Sequence, residues 1–177
     1  GCARGGVAAA ALEHARGAGV VRGFAADAPA PVTKDEVLEC QREWADAIKA
    51  ISRAYLDGGD FVGVAGEAAR LLYGYGRCDV LFKPTKAAEV AFRPELAGAV
   101  SYFVGARNVE EGGVAEDGGF AINCGKGWRD VVFTNHRIDC AADTAVAMGS
   151  YAFTCAATGE RTEAHYTFGY RRNDDGR

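Results

Sequence analysis

The segment DVLFKPTKAAEVAFRPELAGAVSYFVG, Asp79–Gly105, interrupts an apolar run at a proline and resumes it as a helix. Cys78 to Phe82 is mostly apolar and reads as a strand. Pro84 has no N–H to give to a ladder, so pairing stops there and leaves Thr85 at a strand end. Pro94 suits the first turn of a helix, where a missing N–H costs nothing. In that helix Leu96, Val100, Phe103 and Val104 make an apolar face, with Ser101 beside it and the Tyr102 phenol near its edge. A strand-end hydroxyl and a helix phenol that point the same way share a pocket. The alternative, Thr85 capping a turn and Tyr102 as a half-buried core aromatic, fits the same residues and stays open.

Working upstream, Thr33-Lys-Asp-Glu36 has the form of a capping box. Beyond it Val37, Gln41, Trp44, Ile48, Ile51 and Tyr55 recur at steps of four and three, the stripe of a long amphipathic helix that ends at Gly58-Gly59. The stripe suits a helix packed on a sheet. A second, shorter helix is predicted over Glu67 to Tyr73, with Ala68, Leu71 and Leu72 inward and Gly74 stopping it. Residues 1–31 are rich in Ala, Gly and Arg and close on Pro29-Ala-Pro31, which fits a flexible linker or a processed leader, with a weak helix around Ala8 to Ala15 as an alternative. A leader of that type points to a plastid or other organelle. The folded domain is expected over 32–177.

Downstream, Arg107 to Gly119 is a polar, glycine-rich connection whose acids read as solvated turns. Phe120 to Asn123 reads as a short strand. Trp128 to Asp139 alternates as a strand, with Val131, Phe133 and Asn135 opposite Val132, Thr134 and His136. Thr144 to Thr158 follows, with Ala145, Ala147, Tyr151, Phe153 and Cys155 on one face. Thr158-Gly159-Glu160 turns the chain into a last strand, Arg161 to Arg172, where Ala164, Tyr166, Phe168 and Tyr170 oppose Glu163, His165 and Thr167. Asn173 to Gly176 reads as another turn. Two helices, a strand, a short helix and then long antiparallel strands predict an α+β fold: a cone-shaped half-barrel whose curved, mostly antiparallel sheet wraps around the long N-terminal helix. The cone mouth is a natural pocket.

A net charge of −4 offers no basic surplus to neutralise phosphates, which argues against nucleic acid as a partner. No apolar run is long enough for a membrane helix. The six cysteines form no C-x-x-C pair and read as mostly buried, reduced thiols. His14, His136 and His165 form no H-x-H or H-E-x-x-H pattern, so a metal site would have to be assembled from distant strands.

Four strings carry a resemblance over most of the folded region: VLFKPTKA (Val80 to Ala87), FRPELAGAVSYFVG (Phe92 to Gly105), EDGGFAI (Glu116 to Ile122) and HYTFGYRR (His165 to Arg172). They resemble the iota-class carbonic anhydrases of algae and bacteria, within the SnoaL-like and nuclear transport factor 2-like superfamily that also holds the association domain of calcium/calmodulin-dependent kinase. The resemblance implies reversible hydration of carbon dioxide to bicarbonate, with no cofactor and with metal use left open. It implies that Thr85 and Tyr102 bind bicarbonate with a serine from a His-His-Ser-Ser run on a final strand. That run does not follow the YRR turn in these 177 residues, so low activity is expected until the strand is supplied. Homodimer or tandem-domain contacts are further expectations of the resemblance.

Without a metal the work falls to hydroxyls. Thr85 and Tyr102 can donate to a bicarbonate-like oxygen or hold the attacking water. Neither is a base at neutral pH, and His165 or His136 is better suited to carry the proton. A lone histidine on a sheet also serves as a structural residue. Lys83 and Lys86 flank Thr85 and either attract an anion or are solvated charge. Two other functions fit the fold: a non-catalytic association module, and a SnoaL-type isomerase or cyclase needing a buried base, with Asp79 and His165 the available residues.

Overall fold

The computed structural model describes residues 30–173. Of the linker or leader read over 1–31, residues 1–29, which include its weak helix, lie outside the described residues, as does the end of the turn that starts at Asn173.

Helix α1 spans Lys34–Leu56 and opens on the expected capping box: the Glu36 N–H donates to Thr33 Oγ1 (3.3 Å) and the Thr33 N–H donates to Glu36 Oε2 (2.8 Å). Such a cap contributes about 1 kcal/mol. Its buried stripe is Val37, Gln41, Trp44, Ala45, Ile48, Ile51 and Ser52. Gln41 is the polar member, and its amide is matched at both ends by Asn135, with Nε2 donating to Oδ1 (2.9 Å) and Oε1 accepting from Nδ2 (2.7 Å). A buried amide without such a partner would cost about 1–3 kcal/mol.

Helix α2 runs Phe61–Tyr73, six residues earlier than the periodicity suggests. Gly63 admits the cap. The Asp60 side chain accepts from the Gly63 N–H (2.8 Å), and a Cβ at that position would collide with the same carboxylate. The longer frame also corrects the phase: Ala65 and Ala69 are fully buried, whereas Leu71, expected inward, is 62% exposed.

The expected strand at Cys78 to Phe82 does not form. Its apolar residues act singly as anchors: the Phe82 ring packs 4.9 Å from Tyr73 and 5.9 Å from Phe103, while Leu81 is exposed. The segment is therefore a loop over α2 and the helix that follows it. Helix α3 spans Leu96–Val104 with Glu95 at its N-cap, so Pro94 sits just before the helix and not in its first turn. The expected strand at Phe120 to Asn123 is also absent. The Phe120 and Ala121 N–H groups donate to the Tyr102 and Phe103 carbonyls (both 2.8 Å), supplying donors that the end of α3 lacks.

Strands β1 (Trp128–Ala141), β2 (Thr144–Cys155) and β3 (Arg161–Arg171) form an open antiparallel sheet in the order β1-β2-β3. Tyr151 pairs with Phe133 and Ala164, and Ser150 with Thr134 and His165. A register shift between Asn135 and Arg137 bulges β1. Gly149 faces it, where a Cβ would meet Asn135 Cα and His136 N at 3.0 Å, so only glycine permits that approach. The inward face packs on α1: the Trp44 ring lies 5.6 Å from Phe133, 5.8 Å from Tyr151 and 5.9 Å from Phe168, touching all three strands. This is the expected α+β arrangement, with the sheet laid over the N-terminal helix. The cysteines depart from expectation: of those described only Cys155 is buried, Cys140 is intermediate, and Cys40, Cys78 and Cys124 are exposed. Cys40 falls off the helix stripe, Cys78 lies in a bend and Cys124 in a one-turn 3-10 helix, and none of the three faces the core.

Candidate active site

Thr85 sits on a tight turn. Pro84 and Ala87 are buried on either side of it, the Ala87 N–H donates to Pro84 O (3.2 Å), and Lys83 Nζ folds back onto the carbonyls of Pro84 (3.2 Å) and Ala87 (3.3 Å). The Lys83 ammonium is thus engaged in holding the turn. Thr85 itself is exposed at the rim, and its Oγ1 lies 3.5 Å from the hydroxyl of Tyr151. Tyr151 is 5% exposed and projects from the inward face of β2, between the rings of Trp44, Phe133 and Phe153.

Tyr102 approaches from α3. It is buried (6% exposed), stacked on Phe120 at 5.4 Å and edge-on to Phe82 at 5.9 Å. Burial pushes its phenol well above the ordinary tyrosine value; the backbone N–H of Lys86, next to Thr85, opposes that rise, and the Tyr151 phenol adds to it. Burial likewise raises Tyr151, against the Thr85 hydrogen bond that lowers it. Tyr73, whose hydroxyl accepts from Trp44 Nε1 (2.9 Å), is raised by burial and is an electrostatic neighbour of both Tyr151 and Tyr102. The three phenols therefore remain protonated at neutral pH. Of the three, Tyr151 is the one whose hydroxyl meets Thr85, as an O–H dipole and not a phenolate.

The fold sets Thr85 against Tyr151, which sequence alternation places on the inner face of β2 without indicating that its hydroxyl reaches the turn, and buries Tyr102 in the adjoining aromatic cluster through Phe120. His165 goes elsewhere. It is exposed on the outward face of β3, paired across to Ser150 while its neighbours Ala164 and Tyr166 face inward. With His136, Thr134, Met148 and Thr167 it lines a shallow open concavity of about 530 Å³ on that outer surface. Neither Thr85, Tyr102 nor Tyr151 lines this hollow. Asp79 is exposed as well, so neither residue named for an isomerase is a buried base.

A second polar group lies behind the turn. Arg93 is 1% exposed, and its Nη2 donates to Asp117 Oδ1 (3.1 Å) and contacts Glu116 Oε1 (3.5 Å). Asp117 Oδ2 accepts from Ser101 Oγ (2.6 Å), which in turn accepts from the Val114 N–H (2.9 Å). Glu116 accepts from three successive backbone N–H groups, Ala88 (2.8 Å), Glu89 (3.0 Å) and Val90 (2.8 Å). Those bonds hold its carboxyl at about 2, far below the ordinary 4.5. In the sequence these acids look like solvated turns; the one sign of their role is their place in the EDGGFAI string.

Among the described residues no group of three or more His, Cys, Asp or Glu side chains is placed to hold a metal ion, and no helix is long and apolar enough to cross a membrane. A sequence profile described as metal-independent carbonic anhydrase matches residues 35–177. The chain belongs to that family. A metal-independent carbonic anhydrase of Nostoc sp. is 35% identical over 150 residues, spanning 82% of this chain and 69% of the relative. The crystal structure of an iota-carbonic anhydrase from a cyanobacterium, complexed with bicarbonate, superposes with a TM-score of 0.74 at 34% identity, covering 82% of this chain and 86% of that one. Both matches bear out the iota-carbonic anhydrase resemblance of the four strings. In this carbonic anhydrase domain the turn that bears Thr85 and the helix that bears Tyr102 lie within the span of the family profile.

Proposed function

We propose that the chain catalyses the reversible hydration of carbon dioxide to bicarbonate, and that Thr85, Tyr102 and Tyr151 bind the substrate and product oxygens without a metal. Membership of the family supports the reaction. The observation that carries the site is the contact of Thr85 Oγ1 with the Tyr151 hydroxyl at 3.5 Å, with Tyr102 buried in the adjoining aromatic cluster through Phe120.

Hydration forms one C–O bond between a water oxygen and the carbon of carbon dioxide. It moves one C=O electron pair onto oxygen and releases one proton. A catalyst must place the water, and must offer donors where the oxygen charge grows. Protonated phenols in a low-dielectric wall are such donors. Each preorganised donor of this type is worth about 3–4 kcal/mol where it has been removed from oxyanion sites. Thr85 both donates and accepts, so it can hold the attacking water while donating to the product. Its exposure gives the released proton a direct path to solvent water. The apolar rings beneath, Trp44, Phe120 and Phe153, suit an uncharged linear substrate better than bulk water does.

Stopped-flow hydration assays with and without a chelator test this proposal. Chelator-resistant hydration that falls when Thr85 or Tyr102 is altered supports it; activity lost to the chelator overturns it.

A further inference from the structure

We propose that Glu116 is a positioning residue for the reaction: its carboxylate clamps the loop that carries Thr85 and so sets where the Thr85 hydroxyl stands over the Tyr151 phenol. This rests on the assignment of Thr85 to the bicarbonate site.

The loop from Leu81 to Phe92 has no helix or strand of its own. Its ends are tied by the Arg93 N–H donating to Phe82 O (2.8 Å), and Ala87 to Pro84 closes the turn. Between Ala87 and Arg93 three successive N–H groups on exposed residues turn toward Glu116. Glu116 supplies all three, with Oε2 taking Ala88 and Glu89 and Oε1 taking Val90. The clamp starts three residues after Thr85. Glu116 is fixed in turn, since Oε1 also meets Arg93 Nη2, and Arg93 is pinned by Asp117, which Ser101 binds from α3. Ser101 precedes Tyr102. One chain of polar contacts therefore connects the Thr85 turn to the helix that aims the Tyr102 phenol. Arg93 is enclosed, with Nε and Nη1 unpartnered among the described residues, so its charge is balanced by Asp117 and Glu116 alone.

The arrangement requires a carboxylate. Both oxygens act as acceptors, so a glutamine in either orientation sets an NH2 against at least one backbone N–H. It also removes one of the two negative charges facing a buried guanidinium.

The test compares the protein with Glu116→Gln, Glu116→Asp, Thr85→Ala and the Glu116/Thr85 double variants. Amide hydrogen exchange is read at Ala88, Glu89 and Val90, and bicarbonate affinity by 13C NMR titration. Glu116→Gln is expected to speed exchange at the three amides, and to raise the bicarbonate Kd, by about tenfold each, the loss of charge-assisted hydrogen bonds. In the Thr85→Ala background the same change is expected to shift Kd by less than about twofold, because the hydroxyl being positioned is gone. Glu116→Asp keeps the charge with a shorter reach, is expected to lie between, and carries the comparison if the glutamine variant does not fold. Faster exchange with unchanged Kd overturns the positioning role, as does unchanged exchange. An equal loss of affinity in both backgrounds also overturns it, since that marks general destabilisation. If Thr85→Ala itself leaves Kd unchanged, the Thr85 site falls and the positioning role with it, whatever the amides show.

Discussion

Replacing Tyr151 by Phe removes one oxygen from the rim and leaves the ring in place. The ring makes most of the packing: its centroid lies 4.8 Å from Phe153, 5.4 Å from Tyr166, 5.6 Å from Phe133 and 5.8 Å from Trp44. All of these contacts survive the substitution. The hydroxyl's partner is Thr85 Oγ1 at 3.5 Å, at the long limit for a hydrogen bond, and Thr85 is exposed and can turn to water. The stability cost is therefore at most about 1 kcal/mol, a shift of about 2–4 °C in Tm for a domain of this size. The catalytic cost is larger. Tyr151 is a donor at the site and also the group that orients Thr85, and about tenfold in kcat/KM corresponds to about 1.4 kcal/mol of transition-state stabilisation. Stopped-flow carbon dioxide hydration and thermal unfolding on the same preparations give both quantities. An unchanged kcat/KM with a normal Tm would refute the reasoning. A fall in both by the same free energy would do so as well, since that is the signature of a core residue.

Other expectations follow from the geometry. Ser52 is fully buried, donating to Ala121 O (2.5 Å) and accepting from the Trp128 N–H (2.8 Å), so Ser52→Ala strands two buried backbone groups and is expected to cost about 2–4 kcal/mol in urea unfolding. A loss below about 0.5 kcal/mol would show that water replaces the hydroxyl. The Glu36 carboxyl is lowered from 4.5 to about 2, chiefly by Arg172, and Glu116 is lowered equally by its three amide donors. Both folded values lie below the unfolded ones, so their stabilisation is complete above pH 4.5 and is lost as pH falls toward 2. Denaturation midpoints measured across that window should drop, and Glu36→Gln should flatten the drop; an unaltered slope would contradict the assignment. His165→Ala is expected to leave hydration within about twofold, because the imidazole lies on the outward face away from Thr85. A loss of more than about tenfold would return the proton-carrying role to His165.

Much of the fold could be read directly from the residues because two periodicities run through it, broken in β1 by the register shift near Asn135. Thr33, Glu36 and the Val37-to-Ile51 stripe specify α1, and strict alternation along Phe133, Tyr151 and Tyr166 specifies which face of the sheet meets it. What failed is instructive. Phe82 is apolar because it anchors a loop against Tyr73, and a single anchor looks like a strand residue when its neighbours are apolar too. Ala121 is buried where its N–H, with that of Phe120, caps α3, which no alternation rule reports. Gly63 lies where a helix cap needs room.

For the site, the family strings pointed to Thr85 and Tyr102, and residue types alone left their roles open. Tyr151 lies 66 residues from Thr85 and reaches it only through the folding of β2 over α1. His165 has chemistry suited to proton transfer, and the alternation of β3 sets it on the outward face, opposite Ala164 and Tyr166. Glu116 and Asp117 are flanked by glycines in a polar stretch, and only the buried Arg93 reveals why acids stand there.

The most direct test is the initial rate of carbon dioxide hydration, with a chelator present throughout, for the protein and for the Thr85→Ala/Tyr102→Phe double variant at matched folded fraction. The expected result is a chelator-resistant rate that falls by at least about 100-fold in the double variant. A rate abolished by the chelator, or one retained within about threefold by the double variant, would contradict a metal-free hydroxyl site.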